Sequence, residues 1–298
     1  MTSSPQPLRG VRILSLALNL PGPAAMMRLK AMGARCTKLE PQGPAGASTD
    51  PMAVYKPQAY ATMHQGIQVL QADLKTEAGQ RRLHQLLAKT DVLITSFRPS
   101  ALVKLGMAPG ALQRLYPGLI QVAIVGAAGP RAEEPGHDLT YMAECGLVDG
   151  LQLPASLFAD MGGSLWVTET VLQALWQRDR PGRRHGRGSI HQVALNDAAA
   201  YLGLPRHWGL TAATGAVGGA HAGYRVYACQ NGRVAVAALE PHFARSLCQI
   251  AGLPVGGDPE HMAQAEIHQG LSRWFARHTR AQLKRLAEQH DIPMHPLE

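Results

Sequence analysis

The stretch GHDLTYMAECGLVDGLQLPASLFADMGG, Gly136 to Gly163, holds one histidine, His137, near its start. Asp160 lies near its end, just ahead of a Gly-Gly pair. An imidazole titrates near neutral pH, and a carboxyl does so only when burial strips away its water. Brought together, the two could work as an acid/base pair. A plainer reading competes. Asp160 is well placed to cap a long apolar helix expected over Gly162–Asp179, and His137 beside Asp138 reads as a surface turn residue.

The elements that must position this pair are legible upstream. VRILSLA (Val11–Ala17) reads as a buried strand, PAAMMRLKAMG as a helix stopped by Gly33, and RCTKLEP (Arg35–Pro41) as a second strand. Strand, loop, helix and strand in so short a span make a βαβ unit and imply a parallel sheet. Glu40 sits where a dinucleotide fold places its ribose-binding acid, but the loop reads ALNLPGPAA and lacks the glycines that admit a pyrophosphate. Residues 42–60 read as a long loop. An amphipathic helix is expected over Thr76–Thr90 with Thr76 as its cap, and strands over Asp91–Phe97, Leu119–Gly126 and Ser189–Leu195. Residues 203–222, rich in Gly, Ala and Thr, read as a linker. YRVYACQNGRVAVAAL then signals a hairpin turning at Asn231–Gly232, followed by helices, the last opened by a Thr279–Gln282 capping box. The expected fold class is α/β: a Rossmann-like open parallel sheet over residues 1–200, a linker over 201–222 and a smaller α+β domain over 223–298.

Composition narrows the function. The chain has 298 residues, 46% of them hydrophobic, which is enough for one large or two smaller cores. Aromatics make up only 5%, which argues against a stacking surface for single-stranded nucleic acid. The net charge of +8 suits a phosphorylated ligand as well as a plain basic surface, and the five arginines between Arg178 and Arg187 read as a solvated turn. Four cysteines without a CxxC fit a reducing cytoplasm, and thirteen scattered histidines give a metal site no support. No signal peptide and no membrane-spanning run are expected, and neither is a P-loop, a GxSxG elbow or an HExxH helix.

One resemblance organises these readings. LRGVRILSLALNLPGPAAMMRLKAMGARCTKLEPQGP, DLKTEAGQRRLHQLLAKTDVLITSFRPSALVKLGM, GHDLTYMAECGL, LFADMGGSLW and YACQNGRVAVAALEPHF occur in an order that resembles the family III CoA-transferases. That group includes formyl-CoA and carnitine CoA-transferases and the α-methylacyl-CoA racemases. The resemblance implies an acyl-CoA substrate, no tightly bound cofactor and an interlocked homodimer. It implies that Asp160 is the aspartate that attacks a thioester in the transferases and moves a proton in the racemases. It further implies that His137 is the opposing base, that Glu240 supports that histidine, and that Lys38, Arg98, Gly136 and Asp138 meet the CoA moiety. His64–Gln68 reads HQGIQ where the resemblance implies a basic segment, and the chain ends at Glu298 where it implies a further segment. Because Asp160 serves both reactions and His137 with Glu240 only racemisation, racemisation is the expected reaction. CoA transfer is the alternative, and a non-catalytic homologue the second alternative.

Overall fold

A computed structural model describes residues 5–180 and 186–298; Arg183 and Arg184 of the arginine run lie outside the described residues. Two compact units are present, Met1–Gly203 and Leu204–Glu298.

The first unit is built on six parallel strands: β1 (Arg12–Ser15), β2 (Arg35–Glu40), β3 (Gln68–Gln71), β4 (Val92–Thr95), β5 (Ile120–Val125) and β6 (Ile190–Ala194). Their order, β3-β2-β1-β4-β5-β6, reverses direction between β1 and β4. In such doubly wound sheets the reversal opens a crevice at the carboxyl ends of the strands, where ligands bind. The helices are α1 (Pro21–Ala31), α2 (Pro51–Tyr55), α3 (Pro57–Met63), α4 (Glu77–Leu87), α5 (Pro99–Lys104), α6 (Pro109–Leu115), α7 (Asp138–Glu144), α8 (Phe158–Asp179) and α9 (Leu195–Leu202).

Strand alternation fills both faces of this sheet. Ile13, Cys36, Ile94, Val122 and Val193 join Leu29 of α1 and Val167 and Val171 of α8 in one core. Leu14, Leu39 and Leu93 point the other way, against Leu83 and Leu87 of α4 and Leu112 of α6. Burial on both faces explains why these strands read as continuous apolar runs. The expected cap of α4 is present, Thr76 Oγ1 accepting the Gly79 N–H at 3.1 Å.

Two expectations need correction. Residues 42–60 are not one loop. Asp50 caps α2, its Oδ1 accepting the Met52 N–H at 2.9 Å, and prolines begin both α2 and α3. A proline at a first helical position loses only a donor that was unpaired anyway. Helices this short are invisible to periodicity. Nor does Asp160 cap α8, which begins at Phe158, so that Asp160 lies inside its first turn. At its far end α8 is tied to the sheet. Arg178 pairs with Asp91 at 3.2 Å, and Asp91 also accepts the Arg12 N–H at 2.8 Å.

The second unit opens with α10 (Leu204–His207), followed by turns in the stretch expected as a linker, whose Ala222 is fully buried in this unit's core. The expected hairpin is β7 (Tyr224–Cys229) and β8 (Gly232–Ala237). An unforeseen strand, β9 (Met294–Leu297), adds antiparallel to β8. Pro296 within it and Pro293 just before it hid it from propensity, and its edge position tolerates the proline. The helices α11 (Pro241–Ile250), α12 (Pro259–Met262), α13 (Ala265–Phe275) and α14 (Arg280–His290) complete the unit. Tyr227 stacks on Phe275 at 4.6 Å between ring centres, and the Thr279–Gln282 capping box opens α14. Among the described residues no helix is long and apolar enough to cross a membrane.

The turn from β1 into α1 is set by close packing: a methyl group at Gly22 would overlap the Ala17 side chain. Gly22→Ala is therefore expected to destabilise the protein by about 1–3 kcal/mol, read as a lowered urea midpoint at unchanged slope.

Candidate active site

At the carboxyl ends of β1, β4 and β5 lies a cavity of about 290 Å³. Its walls bring together Asn19, Arg98, Gly136, His137, Tyr141 and Asp160. Four of the residues singled out from the sequence thus meet at the switch point of the sheet.

Each is held by its local structure. His137 precedes α7 as its N-cap residue; the Thr140 hydroxyl accepts the His137 N–H at 3.1 Å and donates to the His137 carbonyl at 2.7 Å. That exchange fixes the backbone and leaves the ring exposed beside the cavity. Arg98 precedes α5 as its N-cap residue, and no ion pair engages it among the described residues. Asp160 is held through its backbone, its N–H donating to Asp138 Oδ1 at 2.9 Å.

The electrostatics of Asp160 follow. Burial, and then the negative charge of Asp138, push its carboxyl from the ordinary 3.8 up to about 7. A first-turn carboxylate gains only about 0.3–1 kcal/mol from the helix dipole, too little to offset this. Asp160 therefore changes protonation near neutrality, the range that general acid–base chemistry requires.

Asp138 and Lys38 do not line the cavity. Asp138, 5% exposed, brackets the starts of α7 and α8 instead of meeting a cofactor. Lys38 is 1% exposed, hydrogen-bonded to Asp50, 3.4 Å from Glu40 and 4.9 Å from the centre of the Tyr60 ring. An ammonium enclosed by two carboxylates and an aromatic face has no free side for a phosphate, so the expected CoA contact at Lys38 is replaced by an internal strut. Asp50 also accepts the Asn19 N–H at 3.1 Å, and the Tyr55 hydroxyl donates to Asn19 Oδ1 at 2.6 Å. Asn19 carries a positive φ of 65°. The strut thus holds one wall of the cavity in an uncommon backbone conformation. Glu40 belongs to the same cluster, which explains its acidic character without a ribose. His64 of HQGIQ is buried too, its ring Nδ1 2.7 Å from the Tyr60 carbonyl oxygen. Glu240 lies in the second unit, exposed, as the N-cap residue of α11.

Sequence reasoning missed Tyr141 and Asn19. Tyr141 is buried, and no hydrogen bond engages its hydroxyl among the described residues. Its signal was present in the glycines around it. A methyl at Gly136 would sit 2.6 Å from the Tyr141 hydroxyl, and one at Gly126 would overlap it. Both positions are bare so that the ring can lie between them. No cluster of metal-binding side chains occurs among the described residues.

A doubly wound sheet with titratable groups gathered at its switch point is the frame of a Rossmann-like enzyme. The sequence model of CoA-transferase family III matches residues 8–298, and the chain belongs to that family. It is 31% identical over 220 residues to a probable fatty acyl-CoA transferase of Mycobacterium tuberculosis, an alignment that takes in 67% of this chain and 54% of that protein, about half its length. It is 28% identical to the α-methylacyl-CoA racemase of Mus musculus, over 97% of this chain and 77% of the racemase. It is also 28% identical to the succinate–glutarate CoA-transferase of Agrobacterium fabrum, over 100% of this chain and 82% of that enzyme. Relatives therefore carry the names of both racemases and CoA-transferases. A hypothetical protein from Mycobacterium tuberculosis superposes with a TM-score of 0.79 at 25% identity, covering 99% of this chain and 86% of that one. A CaiB/BaiF family protein from Brucella suis shares the fold with a TM-score of 0.79 at 22% identity, covering 99% and 85%.

Two measurements check this geometry. Because the folded state raises the Asp160 pKa, folding is penalised wherever the unfolded chain would ionise that group. The penalty is absent below about pH 4, grows as pH rises towards 7 and is complete above it. Asp160→Asn should therefore be more stable than wild type at pH 8, by roughly 3 kcal/mol, and equally stable at pH 3.5, as read by urea unfolding at both pH values. Lys38→Met, which leaves Asp50 and Glu40 buried without their cation, should lose about 3–5 kcal/mol in the same assay.

Proposed function

We propose that the chain catalyses α-proton transfer on an acyl-CoA thioester, inverting the α-carbon of α-methyl-branched acyl groups. Asp160 and His137 are the two acid/base groups. One observation carries this reading: the Asp160 carboxyl, pushed up to about 7, lines the same cavity as an exposed histidine ring. One group takes the α-proton and the C–H electrons move onto the thioester oxygen. The other group then returns a proton to the opposite face of the planar enolate. Which residue begins depends on the enantiomer. Glu240 enters from the family resemblance alone, as the acid that would support His137.

CoA transfer is the second reading, and Arg98 favours it. An unpaired guanidinium at the cavity would attract the free carboxylic acid that transfer requires. Here the Asp160 carboxylate attacks the thioester carbonyl, CoA leaves as its thiolate and an acyl–aspartyl anhydride remains. The incoming carboxylate takes the acyl group from that anhydride and frees the Asp160 carboxylate; CoA thiolate then attacks the incoming acid's carbonyl in the new anhydride and expels the original acid as its carboxylate. Under either reading Arg98 and Gly136 flank the reacting end of the CoA thioester, and the protein is taken to act as a homodimer in the cytoplasm. Phe158, Met161 and Leu165, exposed along one side of α8, would supply an apolar face for the second copy.

The readings separate in deuterium oxide. With a 2-methylacyl-CoA the wild-type protein should incorporate α-deuterium, and Asp160→Asn and His137→Ala should each lower that rate by about 10²–10⁴-fold. The limb of the pH profile that reports Asp160 acting as base should rise through about pH 7. Exchange of CoA between succinate and glutarate without α-deuteration, undiminished in His137→Ala, would replace the racemase reading with the transferase one.

A further inference from the structure

Both reactions pass through a thioester oxygen that gains negative charge, as an enolate in one and as a tetrahedral oxyanion in the other. That charge needs a donor already in place. The Asp160 amide, first to suggest itself at a helix start, is committed to Asp138 at 2.9 Å. Asp160 itself, as base or nucleophile, has no proton to offer when the charge develops.

Tyr141 has the missing properties. Its ring is wedged between Gly126 and Gly136, both on the cavity wall, and any side chain at either glycine would collide with it. Tyr141 lines the cavity, and its hydroxyl, beside Gly126 and Gly136 on that wall, makes no hydrogen bond among the described residues. Neither glycine has a positive φ, so backbone freedom does not account for them, and room for this ring does. Burial and then the nearby charge of Asp160 hold the phenol above its ordinary 10, so it remains a protonated donor at working pH. Tyr141 and Asp160 line the same cavity.

We infer that Tyr141 is a further catalytic residue, its hydroxyl donating a hydrogen bond to the thioester oxygen as negative charge develops there. The inference rests on the acyl-CoA reading of this cavity. Tyr141 transfers no proton. It holds its own throughout, while the α-proton goes to Asp160 or His137.

Tyr141→Phe removes one oxygen and keeps the ring that fills the space between Gly126 and Gly136. It should lower kcat for α-deuteration or CoA transfer by about 10²–10³-fold while KM changes less than about threefold, with unfolding by urea unaltered. A second readout needs no turnover. Acetoacetyl-CoA bound to wild type should show its enolate absorbance at a pH where the free compound does not, and Tyr141→Phe should bind the same ligand without that band. A folded Tyr141→Phe protein with wild-type kcat, or with an undiminished enolate band, overturns the inference and leaves the acyl-CoA reading standing. Wild-type protein that neither turns over any acyl-CoA nor binds acetoacetyl-CoA overturns both. A lowered kcat matched by an equal rise in KM, with the band intact, assigns Tyr141 to substrate binding and likewise overturns the catalytic role.

Discussion

One hydrogen bond organises the cavity end of the sheet: the Asp160 amide donating to the buried carboxylate of Asp138. It joins the start of α8 to the start of α7, and so to His137, the residue just before α7. Its chemistry is double-edged. The same carboxylate that accepts the amide places negative charge beside the Asp160 side chain and disfavours its ionisation. A neutral cap such as serine would have joined the helices equally well without raising the pKa. Using an aspartate sets position and protonation state with one side chain.

A second buried arrangement supports the opposite wall. Lys38, Asp50 and Glu40 are all nearly inaccessible to water, an expensive grouping unless every charge is matched. Here the matching is extensive, and Asp50 has an oxygen to spare for the Asn19 amide. The loop after β1 is thereby held to a segment thirty residues further along the chain, and the Leu18 N–H adds a bond to the Ser96 hydroxyl of the loop after β4 at 3.1 Å. The cavity is thus bounded by loops that are fastened to one another.

The sheet was legible because its strands are buried on both faces and write themselves as unbroken runs such as VLIT in β4. The hairpin was legible because Asn231–Gly232 permits few other turns. The cavity members His137, Arg98, Gly136 and Asp160 were found through ordered resemblance, since nothing in local spacing shows that residues 98 and 160 share a wall. Lys38 misled for a physical reason. The resemblance alone assigned it to a ligand, and its true counter-charge, Asp50, lies in a stretch that periodicity cannot read. Tyr141 was hidden because an aromatic at helical spacing passes for core. Only the overlap of its hydroxyl with two absent side chains reveals which end of the ring is free. Asp160 also admitted a plainer reading as a cap because α8 begins at Phe158, ahead of the Gly-Gly pair that reads as its start.

The pairing of Arg178 with Asp91 gives α8 a mechanical character. With 22 residues the helix is about 33 Å long, a stiff rod running the depth of the sheet. It is pinned at one end by Asp138 and at the other by the salt bridge beside the first residue of β1. A rod fixed at both ends moves little along its own axis. The Asp160 carboxyl therefore keeps its depth in the cavity by reference to the amino ends of the two central strands, β1 and β4.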